Sequence, residues 1–397
     1  MIPKIDSDIG ISIYSTSTDG CGGKIRQNVE DFLVSEILSD KTTSLIKEND
    51  GYAVYKLKKQ NIDTNHALKD IFNKTGMRLK SLGLKDASAI TEQYVCSMKK
   101  SKIVQNFSTK KFSIEKVGFV KKPLTKKDMI GNHFTIKISE PTSSPSQFND
   151  YDKILNFHGY QRFGSSRPVT HLVGKSILQR NFLEAVRLLL SFTSEHDSRN
   201  TDLRKRLADE SNFKELISEI PPQMDLEKIV VSEIISHNDH FKAIRALPLS
   251  IRRFFVQSFQ SFIFNRTLCL AFENDEELFT PQEGDVCFDK NGILGKYENG
   301  LDQNLSIPLV GYSYYKKTRF HYYISQILQD EEITTKDFYF KEIQEVSNEG
   351  GYRNSSIHCT NYSVKDNIIS FSLSRGSFAT ILLREIMKPT DPIGSGF

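Results

Sequence analysis

The order in which hydrophobic periodicity changes along this chain limits its fold more than any other feature. Phe32-Leu33-Val34-Ser35-Glu36-Ile37 alternates apolar and polar residues, the pattern of a strand buried on one face. Residues 52–57 repeat the pattern with aromatic and β-branched content, as do the runs starting at Phe112 and His133 and, near the end, residues 368–374. Between the early and late runs, residues 181–190, 213–217 and 254–270 follow the helical period instead. The expectation is an α+β protein with a mostly antiparallel sheet, in which residues 1–169 and 326–397 form one domain and residues 170–325 a mainly helical domain inserted into it. A length of 397 residues accords with two domains, because a single core stops growing well before that size. Local punctuation sharpens the boundaries. Thr64 is expected to cap a helix that ends at Gly76, and Ser377 to cap one that runs from Phe378 to Lys388 before Pro389. The residues after Lys388 read as a loose tail.

Composition excludes several classes. The five cysteines are scattered, with no CxxC and no histidine at ligand spacing, so neither a zinc site nor a disulfide framework is expected. His237 and His240 lie three apart in a polar, loop-like stretch, too little for a metal centre. The first residues lack a signal-peptide core, and no apolar run approaches the length of a membrane span, so a cytoplasmic protein without membrane contact is expected. The formal net charge is only +4, yet residues 99–127 hold ten lysines against the single acid Glu115. Such a segment is either an electrostatic footprint for a polyanion or a solvated face.

A second feature concerns chemistry. In Gly83-Leu84-Lys85-Asp86-Ala87-Ser88-Ala89-Ile90-Thr91-Glu92-Gln93, a Lys-Asp pair occupies a short break between two runs that read as strands, residues 77–84 and 89–98. Alone, such a pair is a solvated turn more often than a site, although carboxylates held by a rigid sheet on outward loops are where reactive groups tend to sit. The whole string resembles the catalytic motif Gly-x-Lys-Asp-x-x-Ala-x-Thr-x-Gln of the TruD family of tRNA pseudouridine synthases. Four further segments resemble that family in its own order. Arg26 with Glu30-Asp31-Phe32-Leu33-Val34-Ser35-Glu36 is similar to its first motif. Asn156 to Gly164, continued through Arg167-Pro168 in an archaeal-looking form, is similar to the second. Gln260-Ser261-Phe262-Ile263-Phe264-Asn265 resembles a segment of the family's insertion domain, and Leu373 to Thr380 with Leu383-Arg384-Glu385 its closing motif.

The resemblance implies a pseudouridine-synthase core and an enzyme that isomerises uridine to pseudouridine, at uridine 13 of tRNA. The alternatives are the same reaction on another structured RNA, or RNA binding without turnover. The reaction breaks the C1′–N1 bond, rotates the uracil and rejoins it through C5, so it calls for no redox step, donor or cofactor. Asp86 takes the catalytic role by resemblance, in the sense of a carboxylate nucleophile. Arg26 takes the place of its basic neighbour, which would lower the cost of its charge. Lys85 is expected to face away from Asp86 along an extended segment and to serve an RNA phosphate or the structure. Phe32 and Phe378 are candidates to stack on an extruded base, and Asn156 to position polar edges. His158 stands where the family usually has Phe or Tyr. It is expected to keep the stacking role and to make activity fall at acidic pH. Gln161 and Arg162 are expected to join the domains, Arg384 and Glu385 to form a structural ion pair, and Tyr352 and Arg353 to lie near an RNA cleft. The expected partner is tRNA, and the expected state a monomer.

Overall fold

The computed structural model describes residues 1–47, 50–85, 87, 89–100, 103, 105–197 and 200–397. Asp86 and Lys102 lie outside the described residues. Among those described, one large sheet is built from β1 (Phe32–Leu38), β2 (Tyr52–Lys59), β3 (Leu79–Ser81), β4 (Ile90–Ser97), β5 (Phe107–Ser108), β6 (Phe112–Val120), β7 (Met129–Lys137) and β8 (Lys153–Leu155). A smaller sheet holds β9 (Val286–Asp289), β10 (Leu294–Lys296), β11 (Gln303–Leu309) and β12 (Gly351–Asn354). The large sheet is completed by β13 (Ser356–Lys365) and β14 (Ile368–Ser374).

The large sheet runs β5-β6-β2-β4-β1-β7-β14-β13-β8, with β3 also paired to β4. The β1–β4 pair is parallel and the other described pairs are antiparallel. With β2 along one edge of β4, the other edge is shared: β1 pairs at Ile90–Glu92 and β3 at Val95–Ser97. The loop from β3 to β4 therefore emerges where three strands meet, and the motif lies there.

Burial follows the alternation read from the sequence. Phe32, Val34, Glu36 and Leu38 of β1 are buried and the residues between them half-buried. Phe134 of β7 and Phe371 of β14 sit opposite one another and stack at 5.2 Å, extending the same face across the sheet. The helix Thr64–Thr75 lays Ala67 and Ile71 against Tyr55, Leu57, Val95 and Ile114. It ends at Gly76 in the left-handed conformation that glycine adopts freely. Its cap is Asp63, which accepts from the Asn65 and His66 N–H groups; Thr64 is the first helical residue. At the other end of the chain, the helix Ala379–Met387 has no side-chain cap, and Ser377 pairs with Ser374 instead.

The helical block centres on Leu249–Glu273, buried along most of its circumference. It crosses the helix Thr170–Leu178 at Gly174, where an added Cβ would stand 2.0 Å from the Phe255 carbonyl oxygen. Strands β9, β10 and β11 also fall within residues 170–325; β9 and β10 are too short to show a period, and β11 buries four consecutive residues instead of alternating. The chain passes from the smaller sheet to the larger between Asn354 and Ser356.

Two local expectations are corrected. His237 and His240 are not in a loop: they end and begin the helices Asp225–His237 and His240–Ala246, and each contacts a carboxylate, Glu233 and Glu210. The closing residues are not loose. Ile25 N–H donates to the Ser395 carbonyl at 2.9 Å, and the Phe397 ring packs edge-on against Tyr160. Among the described residues, no helix is long and apolar enough to cross a membrane, and no three His, Cys, Asp or Glu side chains gather as a metal site. All five cysteines are buried thiols.

Candidate active site

A pocket of about 250 Å³ opens on the face of the large sheet where β4, β1 and β7 run side by side. Phe32, Val34, Ala89, Thr91 and Phe134 form its floor: residues two apart on a strand share a face, and Val34 is opposite both Thr91 and Phe134. Arg26, Lys85, Asn132, Gln161 and Phe378 stand around it.

The β3–β4 loop is clamped at this pocket. Thr64 Oγ1 accepts from the Lys85 N–H at 2.9 Å and donates to Gln93 Oε1 at 2.9 Å. Gln93 in turn donates from Nε2 to the Gly83 carbonyl at 3.0 Å. The buried Lys59 ammonium donates to the Lys85 carbonyl at 3.0 Å, and the Asn61 N–H to the Ala87 carbonyl at 3.1 Å. Gln93 is thus the motif residue that holds the loop's start, from two turns of pleat away. Hydrogen bonds from both flanks fix the backbone on either side of position 86.

Lys85 is turned into the protein. Its Nζ donates to Asn132 Oδ1 at 2.7 Å and lies 3.1 Å from Glu36 Oε1, with only a tenth of the side chain exposed. Glu36 Oε1 receives no well-aligned hydrogen bond, so the link to Lys85 is a charge contact; Oε2 accepts from the Tyr94 N–H at 2.8 Å. Burial pushes the Glu36 carboxyl above its usual range, while Lys85 and the Tyr94 N–H pull it back. An ammonium engaged by two side chains is a structural contact, which removes the basis for giving Lys85 to an RNA phosphate. Glu36 and Asn132 were not singled out as site residues from sequence. Glu36 is part of the first motif, and its place in the alternation of β1 was the available signal.

Arg26 adopts a left-handed backbone, φ 56°, and its guanidinium lies 4.3 Å from the Phe32 ring centroid. Its Nη1 donates to the Gly396 carbonyl at 3.1 Å, so the chain's closing residues anchor it over the pocket. Phe32 is 3% exposed and holds the floor, edge-on to Phe134. Phe378 is 40% exposed and is the aromatic face open to a ligand.

Asn156 and His158 are one layer behind the wall. Asn156 accepts from Arg353 at Oδ1 and donates to the Asn354 carbonyl, so its amide is committed internally. Arg353 also packs over Phe378 at 5.7 Å, which makes the pair a support for that ring. His158 lies edge-on to Phe264 and is hydrogen-bonded through its backbone to the Asn265 amide. Burial, with Arg353 and Arg162 nearby, holds its imidazole well below the usual histidine range. The expected acid sensitivity from His158 therefore loses its basis, as does a stacking contact with substrate in this conformation.

Other motif residues make structural contacts. Arg162 Nε donates to Ser261 Oγ, and Ser258 and Thr170 both donate to the Arg162 carbonyl, tying this segment to the helical block. Arg384 meets Glu385 at 3.1 Å as expected, and also the buried Asp6 at 2.6 Å. Tyr160 donates to Asp6 at 2.6 Å.

A mixed α/β fold with a large, mostly antiparallel sheet and a nucleoside-sized pocket over its parallel pair defines the class. Comparison with known proteins gives the family. The family described as tRNA pseudouridine synthase D matches residues 8–386. A relative from Methanosarcina acetivorans described as "Probable tRNA pseudouridine synthase D" is 30% identical, over 99% of this chain and 98% of that one. Another from Pyrobaculum islandicum, with the same description, is 29% identical over 100% and 99%. A crystal structure of a protein from Methanosarcina mazei, described as "Putative tRNA pseudouridine synthase D (TruD)", superposes with a TM-score of 0.83 at 27% identity, covering 99% of both chains. The chain belongs to the tRNA pseudouridine synthase D family.

Proposed function

We propose that this protein isomerises uridine to pseudouridine in tRNA, at uridine 13, with Asp86 as the catalytic carboxylate. The observation that carries the reading is the clamped loop of the motif: Lys85 and Ala89, on either side of Asp86 in sequence, both line the pocket. The backbone they belong to is held by Thr64, Lys59, Asn61 and Gln93. Flanking residues held in this way suit a nucleophile between them that must meet a sugar carbon without reorganising. Arg26 supplies positive charge at the same pocket and favours an ionised carboxylate there. The floor is apolar apart from Thr91, and Phe378 offers a face to an extruded base, which recovers part of the unstacking cost. The division into a core of residues 1–169 and 326–397 and an insertion of residues 170–325 belongs to the same proposal, with tRNA as partner and the protein acting as a monomer.

The test is to map pseudouridine in tRNA after incubation with the wild-type protein and with Asp86→Asn. Product at position 13 with the wild type, none with the variant, and tRNA affinity within about threefold is the expected result. Turnover by the variant would remove Asp86 from the mechanism. Binding without product by the wild type would favour an RNA-binding protein, and product at a different position another uridine target.

A further inference from the structure

We propose that Thr91 and Asn132 read the imide edge of the uracil in this pocket and so set the choice of uracil over cytosine. The inference rests on the pocket being a uridine site.

Thr91 is 1% exposed, and its Oγ1 has no hydrogen-bond partner. A neighbouring hydroxyl does not share this condition: Thr64, at the start of its helix, makes bonds to both Lys85 and Gln93. A buried hydroxyl without a partner loses its hydration and gains nothing in return, so an orphan of this kind calls for an account. The account here is positional. Thr91 is opposite Val34 on β1, which is opposite Phe134 on β7, and all three line the pocket. The surrounding floor is apolar. A turn about the Thr91 Cα–Cβ bond would bring this hydroxyl, able either to donate or to accept, to a ligand lying on the floor.

Asn132 completes the pair. It is opposite Glu36, two residues along β7 from Phe134 and on the same face. Its Oδ1 is fixed by the Lys85 ammonium at 2.7 Å, which settles the amide's orientation, because an ammonium has no use for an amide N–H₂. Nδ2 is therefore left as a donor on a pocket-lining side chain. Ordinary strand spacing puts the Thr91 and Asn132 Cα atoms about 12 Å apart across β1, room for one six-membered ring between their side chains.

A fixed donor and an adaptable hydroxyl match uracil, which presents carbonyl oxygens flanking an N3–H. Cytosine places an amino group where one of those oxygens would be, and a donor facing the Asn132 donor is repelled. This also gives the buried Glu36–Lys85 pair a purpose: it orients the amide that reads the base. Sites that hydrogen-bond a substrate group discriminate strongly against its absence, because their own polar atoms are then left unpaired.

The experiment compares wild-type protein, Thr91→Val and Thr91→Ser on a tRNA transcript, with the thermal midpoint of each free protein. Thr91→Val keeps the shape and removes the hydroxyl; Thr91→Ser keeps the hydroxyl. The expected result is a fall in kcat/KM of about tenfold for Thr91→Val, near wild-type turnover for Thr91→Ser, and a free-protein midpoint that stays level or rises for Thr91→Val. In competition binding, the preference for the transcript over one with cytidine at the target position should narrow for Asn132→Ala, which removes the donor. Thr91→Val equal to the wild type in kcat/KM, or Asn132→Ala equal to it in that preference, overturns the inference while leaving the uridine reading intact. A lowered thermal midpoint that accounts for the reduced activity also overturns it. Wild-type protein that makes no pseudouridine overturns the uridine reading, and this inference with it.

Discussion

A histidine where related motifs carry a phenyl or phenol ring would ordinarily bring a titration into the neutral range. At position 158 the surroundings prevent it. The ring is buried against Phe264, and two guanidinium groups, Arg353 and Arg162, oppose a further positive charge. The neutral form is thus the folded form, and the sign of the linkage follows. With a folded pKa below the unfolded one, His158 contributes its stability above about pH 6.5, and that contribution is lost as pH falls below this value. His158→Phe should therefore leave the pH–rate profile unchanged between about pH 6 and 8, while its thermal midpoint falls less steeply than the wild type's below about pH 6. Rate and thermal-melting measurements on both proteins check this; a profile displaced by the substitution would place the imidazole in the chemistry. The same neighbourhood shows what residue types alone conceal. Arg26, Phe32 and Phe378 hold motif positions in the sequence and also line the pocket. The partners that decide what Lys85, Asn156 and Arg384 do come from elsewhere: Arg384 meets Asp6 across 378 residues of sequence. No local pattern foretells such pairings.

Elements were legible in proportion to their length and to the clarity of their period. β1, β2 and β14 were read within two residues, as was the helix Phe182–Ser191, which Asn181 caps, while β7 was read only from His133, four residues after its start at Met129. The smaller sheet was not read, since strands of three or four residues such as β9 and β10 carry no measurable period. Nor did the hydrophobic pattern reveal how closely two helices approach. At Gly174 the backbone of Thr170–Leu178 meets that of Leu249–Glu273 with no room for a side chain, which makes this crossing the tightest joint between the helical block and the segment after the second motif. Gly174→Ala must part the helices, and the expected cost is about 1–3 kcal/mol of stability, read as a lower urea midpoint with an unchanged slope. Arg162 and Ser258 bond near the same joint, so the displacement should also lower turnover more than Tm alone explains. A midpoint equal to the wild type's would mean that the helices slide there without cost.

Across the whole molecule, charge is the property that links pocket to partner. Every described lysine between Lys99 and Lys127 is exposed, and two of them, Lys110 and Lys111, border a hollow of about 140 Å³ together with Lys58 and Ile90. Ile90 follows Ala89, which lines the main pocket, so the basic hollow and the main pocket are neighbours in sequence at the start of β4 but lie on opposite faces of the strand. An RNA with one base in the pocket would have to pass round this end of the sheet for its phosphates to reach these lysines. Neutralising Lys110, Lys111, Lys116 and Lys122 together should weaken tRNA binding and flatten the dependence of log affinity on log salt by about 3, since each phosphate that a lysine neutralises adds roughly 0.7–0.9 to that slope. Turnover at saturating tRNA should stay near the wild-type value, because none of the four lines the main pocket. Filter binding across a salt series, with single-turnover rates beside it, separates the outcomes. A salt slope that does not change would make the segment a solvated face; a flattened slope with intact turnover would make it the track along which the substrate reaches the pocket.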